Sequence, residues 1–329
     1  MKKLKKILVT GCAGFIGFHL TKKLILEGFQ VYGIDNMNSY YDVELKKARL
    51  LILKNNNNKY FRFFKKDICD SKLESLFQKH KFEKVFHFAA QAGVRYSLKN
   101  PKIYQKYNIN GLLNLLELSK KYKIKHFIFA SSSSVYGDCN KFPVKEFFPT
   151  SSPKSFYAAT KKMGEIISYS YSSLYKMPIS CLRLFTVYGP YGRPDMALFK
   201  FVKNILNGKS IEIYNNGKHV RDFTYIDDVI EMIFCISKKR PIGKIPNATY
   251  NICGSNPQKL VYFIKVIENI LNIKAKRKML PFQKGDVLKT YGSNIKLIKY
   301  CKPKFTPLEK GIKEFIIWFS KFYSYKLNF

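Results

Sequence analysis

Gly11, Gly14 and Gly17 fall at intervals of three, directly after the apolar run Ile7 to Val9 and directly before apolar residues at helical spacing, Phe15, Ile16, Leu20, Leu24 and Ile25. No other feature restricts the fold as much. An apolar run without alternation is the pattern of a strand buried on both faces of a parallel sheet. Glycines between such a strand and a helix permit a tight bend and a close approach of backbone N–H groups, and the positive end of the helix then faces an anion. Gly28 closes the helix and Val31 to Ile34 forms the next strand, which completes a βαβ unit. The alternation continues through strand Val85 to Ala89, a helix over Gly111 to Tyr122, strand Phe127 to Ala130, a helix from Tyr157 to Tyr175, and strand Ile179 to Leu184. The expected fold is α/β: a doubly wound parallel (Rossmann-type) sheet with a smaller C-terminal substrate-binding α/β domain. The pattern loosens where Gly189, Pro190, Gly192 and Pro194 crowd together. Residues 1–184, with a return segment near 220–240, are therefore assigned to dinucleotide binding, and 185–329 mainly to substrate.

Asp35 ends the second strand, where a carboxylate accepts hydrogen bonds from an adenosine ribose and repels a 2′-phosphate. Asn36 follows where an NADP enzyme would carry arginine, so the expected cofactor is NAD. Asp67 and Ile68 are placed to reach the adenine edge, although a solvated turn aspartate reads the same way. Tyr157 and Lys161 lie one helical turn apart and share a face, and Ser132 ends a central strand. Either pair alone is weak, since a Tyr packed inward with an exposed Lys has the same spacing. With the glycine turn upstream they form a constellation that meets a nicotinamide at the sheet's C-terminal edge. Bringing a phenol from its ordinary pKa of about 10 to neutral pH takes about 4 kcal/mol. One cation at ~4 Å in an effective dielectric of ~20 supplies that much, so Lys161, helped by the positive nicotinamide, is expected to lower Tyr157.

These residues together resemble the extended short-chain dehydrogenase/reductase family, in its nucleotide-sugar 4-epimerase branch, over essentially the whole chain. The resemblance implies that Tyr157 takes the proton of the sugar 4-hydroxyl, Ser132 hydrogen-bonds the same oxygen and Lys161 holds the nicotinamide ribose. It implies further cofactor contacts from Phe15, Ile16, Ala89, Ala90, Asn110 and Phe185. The loop from Asp35 to Asp42 and the stretches Thr186 to Pro190 and Gly192 to Met196, with Arg193, look like those of uronate-using members. Galactose-type epimerases usually have Asn in place of Thr186 and Arg near Gln283. Arg221 in Arg221-Asp222-Phe223-Thr224-Tyr225 resembles the arginine that clamps the UDP diphosphate, a task suited to a guanidinium fork. Asp286 would accept from the uridine ribose and Arg95 would contact substrate; for both, a surface salt bridge explains the residue equally well. Dehydratases of the family carry Asp-Glu at the positions of Ser133 and Ser134, and uronate decarboxylases carry Glu at Ser134. With neither acid present, the implied reaction is 4-epimerisation of UDP-glucuronate. Neutral hydroxyls from Ser133, Ser134 and Thr186 would hold the carboxylate of the 4-keto uronate. The alternatives are a 4-epimerase of UDP-glucose or UDP-N-acetylglucosamine, and a non-catalytic NAD-binding regulatory protein. A homodimer through helices near Asn110 to Lys121 and Phe156 to Tyr175 is also implied.

The formal charge of +37 raises the question of a nucleic-acid or membrane partner. The lysines are spread along the chain and accompany abundant Asn, Ile, Phe and Tyr, as in Asn55 to Asn58, so a solvated surface is expected and no nucleic acid. The odd number of cysteines, with no Cys-x-x-Cys pair among Cys12, Cys69, Cys139 and Cys181 and no nearby histidines, leads us to expect neither a disulfide framework nor a metal site. No apolar run is long enough to span a bilayer, and the basic start from Met1 to Lys6 meets the glycine turn too soon for a signal peptide. A cytoplasmic location without membrane insertion is expected. The aromatic, basic stretch Ile312 to Tyr323 reads as a terminal helix packed on the core, with a membrane-surface helix as the rarer alternative.

Overall fold

A computed structural model describes residues 4–55 and 59–326; Met1 to Lys3 and the Asn56 to Asn58 part of the asparagine run lie outside the described residues. Six strands come first: β1 (Lys6–Thr10), β2 (Gln30–Asp35), β3 (Phe61–Lys65), β4 (Lys84–His87), β5 (His126–Ser132) and β6 (Ile179–Leu184). Three strands of smaller sheets follow, β7 (Thr186–Tyr188), β8 (Ile211–Tyr214) and β9 (Val220–Tyr225), before β10 (Asn247–Ile252) returns to pair with β6. The large sheet has the order β10-β6-β5-β4-β1-β2-β3 and every pairing in it is parallel. The two short strands β11 (Pro257–Lys259) and β12 (Arg277–Leu280) complete the smaller sheets, β11-β9-β7 and β12-β8.

Helices cover both faces of the large sheet. One layer begins with α1 (Phe15–Leu26) and α2 (Val43–Asn55), the other with α3 (Glu74–His80). After β4 come α4 (Val94–Lys99) and α5 (Pro101–Tyr104), then α6 (Gly111–Lys121) and the long α7 (Phe156–Tyr175). The smaller half contributes α8 (Ala197–Leu206), α9 (Ile226–Lys238), α10 (Leu260–Leu271), α11 (Ile295–Ile298) and α12 (Leu308–Phe322). Successive residues of β1 point to opposite sides, so Ile7 and Val9 enter the core shared with α1, α2 and α9 while Leu8 enters the one shared with α3 and α6. Double burial of this kind gives the unalternating apolar runs of the sequence. Strand order reverses between β1 and β4, and the loops leaving their C-terminal ends diverge there to leave a crevice.

The terminal stretch is α12, with Ile312, Phe315, Ile316 and Phe319 buried and the Trp318 ring tilted against that of Tyr191, centres 4.8 Å apart. No described helix is long and apolar enough to cross a membrane. The expectation of no disulfide is corrected: Cys235 on α9 and Cys301 just after α11 are bonded, with Cα atoms 6.1 Å apart. They lie 66 residues apart in the chain, and nothing in local spacing signals a pair that only the fold brings together.

Candidate active site

A cavity of about 890 Å³ opens along the C-terminal edge of the large sheet, lined by Gly11, Gly14, Phe15, Ile16 and Gly17 at one end and by Arg95, Arg221 and Asp286 at the other. Gly11 has φ +73°, and a Cβ there would stand 2.7 Å from the Ala89 nitrogen; one on Gly17 would overlap the Gly11 carbonyl. Neither position accepts a side chain. Gly14 caps α1 without a side-chain hydrogen bond, so the first-turn N–H groups of the helix are left for an anion. Asp35 accepts from the Met37 and Ala13 N–H groups at 2.9 and 3.2 Å, which fixes its carboxylate against the glycine loop. Asn36, Ile68, Ala89, Ala90 and Phe185 line the same space. A turn of backbone donors at a helix start, no side chains in the way and a carboxylate at the next strand end together fit a dinucleotide pyrophosphate and ribose.

Two of the expected cofactor residues stand apart from this wall. Asp67 does not line the cavity; it accepts from the Asn36 side chain at 3.3 Å. Asn110 is exposed. Between α5 and α6 the chain makes a π-helical turn over Gln105–Asn110, whose extra residue per turn shifts the side-chain register. Asn108 is the asparagine turned inward: it accepts from the Gln91 N–H at 2.8 Å and donates to the Gln91 carbonyl and the Thr160 hydroxyl. Ordinary helical spacing cannot choose between two asparagines two residues apart.

Ser132, Tyr157 and Lys161 converge on the middle of the cavity. Ser132 is the last residue of β5, and its hydroxyl accepts from the Ser134 N–H at 3.2 Å. Ser155 caps α7 by accepting from the Ala158 N–H at 3.1 Å, which sets Tyr157 in the first turn. Lys161 is buried and donates to the Ala130 carbonyl at 2.8 Å, with its amine 6.0 Å from the Tyr157 ring centre. The protein groups alone do not lower Tyr157. Burial raises the Tyr157 phenol above its ordinary value, opposed by the Ser132 hydroxyl and the charge of Arg193. The same burial pushes Lys161 down to about 7. A low-dielectric wall penalises both charged forms, so the lysine is a weaker electrostatic partner than a fully ionised cation at contact distance.

Ser133, Ser134 and Thr186 line the cavity beside this trio, as does Arg193. Asp195 accepts from Arg193 Nε at 3.0 Å and in turn takes a hydrogen bond from the Tyr40 hydroxyl at 3.3 Å. At the far end Asp286 lies 3.5 Å from Arg95 and 3.8 Å from Arg221. The Arg221 guanidinium also donates to the Val220 and Leu288 carbonyls at 3.0 Å, and Arg95 stacks 4.2 Å from the centre of the Tyr214 ring. Arg95 and Asp286 thus pair with each other and face the cavity as well. Gln283 does not line it, and its side-chain oxygen is enclosed without a partner among the described residues. Tyr40 has a signal in the sequence only as part of the loop from Asp35 to Asp42, and Lys46 and Arg49 have none; Tyr40 and Lys46 line the wall and Arg49 lies behind it. No group of three metal-ligating side chains occurs among the described residues.

The profile of the NAD dependent epimerase/dehydratase family matches residues 7–253. A probable UDP-glucuronate 4-epimerase of Rhizobium meliloti is 42% identical over 97% of this chain and 98% of its own. The UDP-glucuronate 4-epimerase of Thermodesulfobacterium geofontis is 42% identical over 94% and 95%. Among solved structures, UDP-glucuronic acid 4-epimerase from Bacillus cereus, in complex with UDP-glucuronic acid and NAD, superposes with a TM-score of 0.90 at 34% identity, covering 97% of this chain and 100% of that one. A cavity joining a glycine-rich loop to a Ser, Tyr and Lys trio, a family match over most of the chain and relatives alike from end to end lead to one assignment: the chain belongs to the NAD dependent epimerase/dehydratase family.

Proposed function

We propose that the chain is a UDP-glucuronate 4-epimerase, interconverting UDP-glucuronate and UDP-galacturonate through a transient 4-keto sugar with tightly held NAD. The observation that carries this reading is the run Ser132, Ser133, Ser134, which brings three neutral hydroxyls and no carboxylate to the cavity end of β5 beside Tyr157. Tyr157 accepts the proton of the sugar 4-hydroxyl as C4 is oxidised, and gives it back when C4 is reduced from the other face. Ser132 hydrogen-bonds the same oxygen. NAD, when bound, supplies the hydride acceptor and donor for C4 and, in its oxidised form, a positive charge in the same cavity. The glycine loop and the uncapped start of α1 hold its pyrophosphate, Asp35 its adenosine ribose and Lys161 its nicotinamide ribose. Arg221 and Arg95 serve the UDP diphosphate and Asp286 the uridine ribose.

A 4-keto uronate is a β-keto acid and tends to lose CO₂, so the site has to hold the carboxylate without promoting that loss. Hydroxyls from Ser133, Ser134 and Thr186 can do so by donating hydrogen bonds while leaving the carboxylate charged, with Arg193 as the nearby cation. The division into 1–184, with a return segment near 220–240, and 185–329 belongs to this proposal, the first holding mainly NAD and the second mainly the UDP-sugar. So does a homodimer: Leu113 on α6 and Met163, Ile166 and Leu174 on α7 form an exposed apolar stripe, which supports pairing of two copies through these helices.

The test is to incubate the purified protein with UDP-glucuronate, without added NAD, and to resolve products by proton NMR. UDP-galacturonate is expected, and Tyr157→Phe is expected to abolish it. A UDP-pentose as the main product would replace epimerisation by decarboxylation. Inertness toward UDP-glucuronate with turnover of UDP-glucose or UDP-N-acetylglucosamine would keep the chemistry and discard the uronate.

A further inference from the structure

Arg49, on α2, has no exposed surface, and among the described residues no carboxylate pairs with it. Its Nη1 donates to the Ala13 carbonyl and the Tyr41 hydroxyl, and its Nη2 to the Tyr191 carbonyl, all at 2.7 Å; Nε has no partner. Enclosing a guanidinium without a counter-ion costs several kcal/mol even after relaxation, and an apolar filler is often the more stable choice. Filling space is therefore a poor account of an arginine here. Its three acceptors belong to three separate segments: the glycine loop, the loop between β2 and α2, and the loop 189–196.

That third segment carries Arg193. It is held from the cofactor side at both ends, at Tyr191 by Arg49 and at Asp195 by Tyr40. His19 of α1 adds a bond to the neighbouring Pro190 carbonyl at 3.0 Å. Tyr191 itself sits at φ +58°, a conformation a bulky residue keeps only when its surroundings enforce it. Two carbonyls that point at one planar fork fix the distance between their loops better than a flexible ammonium would.

We propose that Arg49 is a positioning residue: by tying Ala13 to Tyr191 it sets the spacing between the cofactor loop and the sugar-facing loop, and so keeps the dinucleotide held and Arg193 in register with Tyr157. The kinetic half of this inference rests on the epimerase reading; the cofactor half does not.

The experiment uses the full-length protein and compares wild type, Arg49→Lys and Arg49→Met, with folding checked by circular dichroism. The readouts are NAD copurifying per chain after gel filtration, and kcat and KM for UDP-glucuronate. Arg49→Met is expected to lose copurifying NAD and to drop kcat by roughly 10²-fold, the effect of about 1 Å of misplacement between reacting groups, with a smaller change in KM. Arg49→Lys is expected to recover part of both. Wild-type NAD content or wild-type kcat in folded Arg49→Met would overturn the proposal, as would Arg49→Lys no better than Arg49→Met. If Arg49→Met does not fold, Arg49→Gln, which keeps a donor for at most one of the two carbonyls, takes its place, with loss of NAD and of kcat expected and wild-type NAD content or kcat overturning the proposal. Wild-type protein inert toward UDP-glucuronate, with NAD still lost from the variants, would sink the uronate reading and leave the brace standing.

Discussion

A hydroxyl can hold a carboxylate without altering its charge, whereas an acid at the same place brings a second negative charge or a proton. On the proposed function, Ser134 lines the cavity where that difference would decide the product. A hydrogen bond to a charged group contributes about 1.5–3 kcal/mol, so Ser134→Ala is expected to lower kcat/KM for UDP-glucuronate by roughly tenfold or more. It should also raise the share of UDP-pentose, and proton NMR of the product mixture measures both; unchanged turnover and product ratio would remove Ser134 from the carboxylate site. Residues of this kind were legible before the fold because their positions follow from local periodicity: Ser132 ends an apolar strand, and Tyr157 and Lys161 share one helix face. Asn108 was not, because a single π-helical turn decides which asparagine points inward. Arg49 was not either, since its acceptors at Ala13 and Tyr191 lie 36 and 142 residues away. The protonation of Tyr157 was the third thing hidden, because burial depends on every element around the cavity.

At the scale of elements, α7 has to be fixed against β5 and β6 for Tyr157 to meet Ser132. Tyr157, Lys161 and Glu165 follow one another at intervals of four and share the face turned to the sheet. Glu165 is buried and accepts from Arg183 Nε and Nη2 at 2.9 Å and from the Ser131 hydroxyl at 2.6 Å. It thus ties the helix to the residue before Ser132 and to β6. Breaking a buried pair by neutralising one partner typically costs about 3–5 kcal/mol, because the other charge is left uncompensated. Glu165→Gln is accordingly expected to lose stability of about that size in urea denaturation, with Glu165→Leu/Arg183→Met losing less than the single change. A double variant as unstable as the sum of its parts would mean the pair does not act as a unit. The central strands and α1, α6 and α7 could be read from the sequence since each is apolar on a regular period. β3 and α2 could not, being at the sheet edge or richly charged, and β7, β8, β9, β11 and β12 have only 3 to 6 residues each. Partly exposed as well as short, they lack the continuous apolar run by which strands as short as β1 and β4 stand out.

The molecule as a whole carries a formal charge of +37, and its buried histidines add an acid sensitivity of their own. His19, His87 and His126 are each pushed down to about 3 by burial, the cost of taking an imidazolium out of water. In the unfolded chain they titrate at the ordinary value of about 6.5. Their folded values lie below their unfolded ones, so the stability they permit is fully present above pH 6.5 and is lost progressively as pH falls toward 3. Within that window unfolding takes up protons. Near pH 5 these three groups contribute a slope of about 4 kcal/mol of stability per pH unit; His80 and His219, also lowered by burial, add to it, and Asp222, which burial raises to about 7, subtracts from it. Urea denaturation at pH 5 and 6 measures the slope directly, with 150 mM salt in both buffers to screen the surface charge. His126 has one ring nitrogen on the Ser180 hydroxyl at 2.9 Å and the other without a partner, which makes it the mildest of the three to replace. His126→Gln is expected to reduce the slope by about 1.4 kcal/mol per pH unit, whatever it does to absolute stability. A wild-type slope near zero between those pH values would mean the three imidazoles already exchange protons in the folded state, and the acid sensitivity would then belong to the surface charge alone.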